Sequence, residues 1–446
     1  MAIDPTPYEH ETTLALAASG ITLDVWDEYE VALSMLEAGN PWSFSFWRSD
    51  PVDGDTAARL TTWDVIARSV KCFDHVMVTI DGAAQLNGRV EVRDIGADRQ
   101  GATVILNGRD MAGPAMDWDV NPSLTIRNTA LSAAIPQAFA QLGIAARVVD
   151  SIANVRVTSH RVPGPRGTNR HASLSEAKQR LAEYVGSPPA ELVAAATQSP
   201  RRANRGQVVD IAHPRPGEHV WGFVEGMVRR IGYRMWVAPD AERGIAVVVD
   251  TPNDNATPSY VLFRRAVANG GGEYEGNILS GREKINTRAA PTEVTVFSGT
   301  ARGAAVSART RSTVANVGIL DDTMTRGLVL NPPPAQPRYL RSSRSRSPQR
   351  SSQDGSNAIL DAMASFRVYT CTVRGHGQSE DGARRLYALN TIARVRDDVC
   401  LDGEGRPLDE DMLITAITFR RSRQNGTTTQ LTLVPRGALA LTPTEP

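Results

Sequence analysis

The sequence predicts an α+β fold, mainly β, with two similar β domains flanking a mixed α/β middle domain. Three observations predict it. Period-two hydrophobic alternation with glycine-marked turns dominates both ends of the chain, and helical spacing appears only in the middle. The stretches "RQGATVILNGRDMAGP" (Arg99 to Pro114) and "RQNGTTTQLTLVPRGALALTP" (Arg423 to Pro443) share one pattern: Arg-Gln, a turn glycine, a β-rich strand, then an Arg next to a glycine and a small apolar stretch. Finally, 446 residues exceed one ordinary core and set an expectation of two to four domains. The boundaries expected are 1–115, 116–285 and 286–446.

In the first domain, "HVMVTIDG" places Val76, Val78 and Ile80 on one face and turns at Asp81-Gly82. "GRVEVRD" alternates again, with Val90 and Val92 inward between Arg89, Glu91 and Arg93, and "TVILNGRD" closes the set. Short strands with close turns fit a small barrel or a sandwich. In the middle domain, Asn128 to Leu142 has helical spacing interrupted by Pro136 and stopped by Gly143. "SLSEAKQRLAEYVG" opens on a capping box, Ser173 and Glu176. A third helix, Glu218 to Ile231, carries Val220, Phe223, Val224, Met227 and Ile231 on one face and leads into two strands in "YRMWVAPDAERGIAVVVD". An insertion is expected near 159–207.

The last domain alternates in "TEVTVFSG", "SFRVYTCTVRGHGQ" and "DMLITAITFRRSRQNGTTTQLTLV", with Asn425-Gly426 as the final turn. Within it, residues 331–357 are rich in Pro, Ser and Arg and are expected to form a long loop or arm, ordered only by a partner. The two quoted endings then read as the last hairpin strand of each β domain. Two like domains per chain place six around the axis of a three-chain ring, which could join a threefold partner to a sixfold one.

At this point the chain resembles a known family. "GAAQLNGRVEVRDIGADRQGATVILNGRDMAGPAMDW" is similar to the N-terminal β domain of baseplate hub proteins of contractile-tailed, Mu-like bacteriophages. "PGEHVWGFVEGMVRRIGYRMWV" resembles the middle helix-plus-hairpin of that family, and "YEGNILSGREKINTRAAPTEVTVFSG" the entry to its second β domain. The ending, from "YALNTIARVRDD" to "LVPRGAL", resembles its closing strands. The resemblance implies tube-protein-like β-barrels and a homotrimeric structural hub in the virion's tail baseplate, assembled in the host cytoplasm. It also implies tail tube protein, spike protein and wedge or inner baseplate proteins as partners, with tape-measure protein and DNA passing through a central channel.

The composition argues against several other classes. Basic and acidic residues balance at 49 each, and all but three of the basic ones are arginine. Balance argues against a polybasic membrane binder or a nucleic-acid coat. Three scattered cysteines make no disulfide framework or zinc site, the N-terminus has no signal-peptide pattern, and no run reaches the ~20 apolar residues of a membrane span. A soluble protein of a reducing cytosol, without membrane insertion, is expected.

No catalytic, cofactor or metal site is signalled. His213 and His219 flank two prolines without further ligands, and the glycine-rich "NGGGEYEGN" lacks the Gly-Lys-Ser/Thr that completes a phosphate loop. The expectation is therefore no enzyme and no cofactor. Two alternatives belong to other classes: a tail-associated peptidoglycan-degrading enzyme, and a nucleic-acid-binding virion protein gripping phosphates through the Arg/Ser arm. The residues singled out for interfaces are Gly108, Arg109 and Asp110 at a strand exit, where Gly108 would make a turn, and Arg341, Arg344 and Arg346 in the arm.

Overall fold

A computed structural model of the chain describes residues 10–18, 20–24, 26–48, 66–98, 101–124, 126, 131–150, 214, 216–230, 233–239, 244–266, 274–298, 310–316, 324–329, 333–342, 348–380 and 383–439. The fold is mainly β. Strands β1 (Thr12–Leu16), β2 (Ile21–Leu23), β3 (Glu28–Ser34), β4 (Pro41–Arg48), β5 (His75–Ile80), β6 (Ala83–Asp98) and β7 (Gly101–Asp110) come first. Alternation puts Val76, Val78 and Ile80 fully inside, and Asp81 and Gly82 both take positive φ, as a tight hairpin turn requires.

Helices α1 (Gly113–Asp117) and α2 (Leu131–Ala140), strand β8 (Ala146–Asp150), helix α3 (Val220–Arg230) and strands β9 (Arg234–Pro239) and β10 (Ile245–Asp250) follow. Strands β8, β10 and β9 form a small sheet, parallel between β8 and β10 and antiparallel between β10 and β9. Phe139, Val224, Met227 and Val247 pack into its core. α2 starts at Leu131 and retains Pro136 within it. The capping-box helix expected at Ser173 and the expected insertion near 159–207 lie outside the described residues.

The chain then forms β11 (Tyr260–Ala266), β12 (Tyr274–Gly276), β13 (Ile278–Ile285), β14 (Glu293–Ser298), β15 (Thr310–Ala315), β16 (Pro337–Ser342) and helix α4 (Pro348–Met363). It ends with β17 (Arg367–Arg374), β18 (Gly377–Glu380), β19 (Ala383–Leu386), β20 (Ile392–Leu401), β21 (Pro407–Ser422) and β22 (Gly426–Pro435).

Two expectations fail here. The described part of 331–357 is not one long loop: β16 pairs in parallel with β14, and α4 lies on the β14–β15–β16 sheet through Ile359 and Met363. Large side chains are scarce in this segment, yet Ser351, Gly355 and Ile359 fall at four-residue spacing and are buried. A Cβ on Gly355 would stand 3.0 Å from Val314 Cγ2, so the helix approaches the sheet on small residues. Val92 is the second failure, being 48% exposed. A β-bulge between Val90 and Val92 reverses the alternation, so the next residue of the pattern points out.

The first and last β segments share one strand-pairing plan. In the first unit the pairs are β1·β2, β1·β5, β5·β6, β6·β7, β7·β4 and β4·β3. In the second they are β11·β12, β11·β20, β20·β21, β21·β22, β22·β17 and β17·β13. Strand by strand the order is the same. The one change of sense is that β1·β5 is antiparallel and β11·β20 parallel. β6 and β21 each have 16 residues, and β7 and β22 each have 10. Both long strands carry a bulge at the corresponding residue, Glu91 in β6 and Thr415 in β21. The repeated sequence ending is thus one hairpin built twice.

Candidate functional site: the seam between the β units

The two β units share one sheet. β21 pairs with β20 along its first half, and its second half pairs on the same side with β3, from Ala416↔Ser34 to Arg421↔Tyr29. One apolar cluster runs beneath, including Val31, Trp42 and Phe44 from one unit and Tyr369, Phe419 and Leu431 from the other. Alternation along β3 and β21 sends Val31 and Phe419 inward and Glu30 and Arg420 outward. Arg420 Nη2 donates to Glu30 Oε1 at 3.0 Å across the seam. Arg423 pairs with Asp27, and its guanidinium lies 5.1 Å from the centre of the Trp47 ring.

A buried polar chain crosses below. The Thr12 hydroxyl donates to Tyr29 Oη (3.1 Å), and Tyr29 donates to His376 Nε2 (2.6 Å). His376 Nδ1 donates to Thr429 Oγ1 (2.9 Å), whose hydroxyl donates to the Gly375 carbonyl (2.7 Å). The His376 backbone N–H donates to His10 Nε2 (2.7 Å), leaving the His10 proton on Nδ1 to face Asp81 Oδ2 at 2.8 Å. Each bond fixes the next, so both imidazoles are neutral Nδ1–H tautomers.

Burial lowers the His376 pKa to about 2, helped by the neighbouring His10. It also lowers that of His10 against the opposing pull of Asp81, and raises Tyr29 to about 12. His376 is 0% exposed, so a substrate has no access to it. The arrangement fastens one unit to the other. His376 lies in the bend after β17, and that bend is folded inward. The flanking glycines are the available signal: Gly375 takes φ +74°, and a Cβ on Gly377 would stand 2.2 Å from the Arg385 carbonyl.

The second unit also holds charge in its interior. Arg264 grips Asp397 with two hydrogen bonds (2.9 and 2.7 Å), and Tyr369 donates to the same carboxylate at 2.6 Å. Burial alone would raise the Asp397 pKa, but these donors outweigh it and hold the group below its ordinary value. Arg367 bridges Glu283 (2.7 Å) and Glu410 (3.0 Å), tying the ends of β13 and β17 where the β14–α4 insert departs.

Gly108 makes no turn. It sits within β7 opposite the Glu91 bulge, where a Cβ would stand 2.0 Å from the Arg89 carbonyl oxygen. Arg109 donates from Nε to Glu91 (2.8 Å) and from Nη1 to Asp117 (3.0 Å), fastening the strand exit over α1. Asp110 is 2% exposed and accepts from the Asn40 backbone (3.0 Å), the Asn40 amide (2.8 Å) and the Ala112 N–H (2.9 Å). Burial lifts its pKa to about 6. Arg341 lies in β16 opposite Phe297 of β14. Arg344 and Arg346 are outside the described residues. No group of three or more His, Cys, Asp or Glu among the described residues could hold a metal ion.

The fold that these units define is that of phage tail proteins. Two solved structures show it along nearly the whole chain. The tail protein from Neisseria meningitidis MC58 is 18% identical, with a TM-score of 0.65 over 98% of this chain and 100% of that one. The 43 kDa tail protein of prophage MuSo2 from Shewanella oneidensis is 14% identical, with a TM-score of 0.64 over 96% of this chain and 99% of that one. No family profile and no curated protein matches the chain.

Proposed function

We propose that the chain is the structural baseplate hub of a contractile phage tail, located in the virion and acting through shape and symmetry rather than catalysis. Three copies form a ring in which each chain contributes two tube-like β-barrels, one before and one after the α/β middle domain in sequence. The ring presents six similar units to the sixfold tail tube and three identical faces to the trimeric spike. Wedge or inner baseplate proteins bind outside it.

One observation carries this reading: two β units with the same pairing plan, joined edge to edge within one chain. A duplicated unit is what converts threefold into near-sixfold symmetry. The face of the shared sheet opposite the core supports a central channel. It carries the uncharged polar residues Ser43, Ser45, Thr370, Thr372, Thr418 and Gln430 between charges of both signs such as Glu30, Arg420, Arg282 and Lys284, a polar lining compatible with passing tape-measure protein and DNA.

The test has two parts. Light scattering of the purified chain across concentrations is expected to give a mass near three times 48.2 kDa. Leu431→Asp, which places a charge in the shared core, is expected to abolish tube initiation in tail assembly. A strict monomer at every concentration, together with full-length tails from the Leu431→Asp variant, would overturn the proposal.

A further inference from the structure

The internal seam uses one edge of each unit and, among the described residues, leaves the matching edges unpaired. β3 is covered by β21; its counterpart β13 pairs on one side only, with β17, among the described residues. β21 is covered along its second half; the matching half of β6, from Val92 on, pairs only with β7 among the described residues. Phe419 of β21 is 0% exposed beneath the seam, whereas Ile95, at the same place in β6, is 41% exposed. A paired strand in one unit thus corresponds to an open one in the other.

The geometry points to a second copy as the occupant: β13 of one chain pairs antiparallel with the distal half of β6 of the next, in the register of β3·β21. Hairpin and strand correspondences set that register. Residues 281 to 286 match 29 to 34, and 92 to 97 match 416 to 421. The pairs between chains are then Val92 with Asn286, Asp94 with Lys284, and Gly96 with Arg282. Asp94, Arg282 and Lys284 are all exposed and on the outward face.

Charge settles which edge meets which. In the internal seam β3 brings Glu28 and Glu30, and β21 brings Arg420. In the junction between chains the polarity is inverted, with Arg282 and Lys284 on β13 and Asp94 on β6. Swapping partners would set Arg282 directly opposite Arg420, and Asp94 diagonally across from Glu30, like beside like. The inversion disfavours pairing of two first units or two second units, whose β3 and β21 edges are in any case taken by the internal seam, and favours alternation around a head-to-tail assembly. The inference rests on the proposed hub only for the number of copies at which the assembly closes.

The test is a full-length chain with Cys72→Ser and Cys400→Ser, carrying Asp94→Cys and Lys284→Cys together, treated with oxidant or a short bismaleimide. The expected product is a covalent ladder ending at three chains, with residue 94 of one joined to residue 284 of another by mass spectrometry. Asp94→Cys with Ser280→Cys, about 13 Å out of register, should give at least tenfold less product. Reversing one charge, Asp94→Lys or Lys284→Asp, should weaken self-association several-fold, and the double reversal should restore it. Trimers without the 94–284 link would overturn this junction and leave the hub reading intact. A 94–284 ladder running past three would support the junction and sink the ring of three. A folded chain that neither associates nor cross-links would overturn both.

Discussion

The first and second β units have the same strand plan but differently furnished interiors. Where the first puts Val31, Trp42 and Phe44, the second puts Glu283, Tyr369 and Cys371 at corresponding places. The first is closed by apolar packing. The second also holds Arg264–Asp397 and the Arg367–Glu283–Glu410 bridge, and it carries an insert between β13 and β17 that the first lacks. Backbone pairing can therefore persist while the core changes chemistry, provided each buried charge finds its partners.

Breaking the buried pair separates the units most sharply. Arg264→Met leaves Asp397 buried without its cation and is expected to cost ~3–5 kcal/mol. Chemical denaturation should show the second unit losing structure first; a single transition merely shifted would mean that the shared core melts as one. Phe419→Ala opens a cavity under the seam, with an expected cost of ~3–5 kcal/mol, and here both units should weaken together. Unfolding followed separately by Trp42 and Tyr369 environments distinguishes the two outcomes.

Acid is the next lever. His10 and His376 stay neutral in the fold with lowered pKa values, while the unfolded chain takes up protons below about 6.5. Their contribution is fully present above that pH and is lost as pH falls, by up to ~1.4 kcal/mol per pH unit for each histidine. Asp110 opposes this, because its pKa is raised from 3.8 to about 6, so its contribution is largest below its unfolded value and declines as pH rises through that window. Urea midpoints from pH 7 to 4 should fall in the wild type, fall less in His376→Asn and fall more steeply in Asp110→Asn.

The smallest effect expected is at the seam's rim. A double-mutant cycle on Glu30 and Arg420, both about half exposed, should give ~0.2–1 kcal/mol of coupling, reduced by salt. A larger coupling would mean that the outward face is shielded from water.

Local patterns carried much of the fold. The Asp81-Gly82 turn, the inward Val76–Val78–Ile80 row and the helix around Phe223 and Met227 are visible because each depends on periodicity within a few residues. The repeated hairpin was visible for the same reason. The α4 segment was misread because its buried stripe is made of serine and glycine, which read as disorder when only large apolar residues are counted. Val92 was misplaced because a bulge is settled by the opposing strand: Gly108 admits the extra residue, and nothing near Val92 announces it.

The sequence by itself determined that β-rich ends flank a helical middle, that both ends finish on the same hairpin, and that basic and acidic residues balance in total. These follow from alternation, spacing and composition, which act over short range. Only the tertiary structure decided that β3 and β21 join the two ends in one sheet, that His10 and His376 meet across it, and that, among the described residues, β13 and the distal half of β6 each pair on one side only. Those outcomes depend on pairing between segments nearly 400 residues apart in sequence. There the free energy comes from backbone hydrogen bonds and shared burial, which no local pattern of residues encodes.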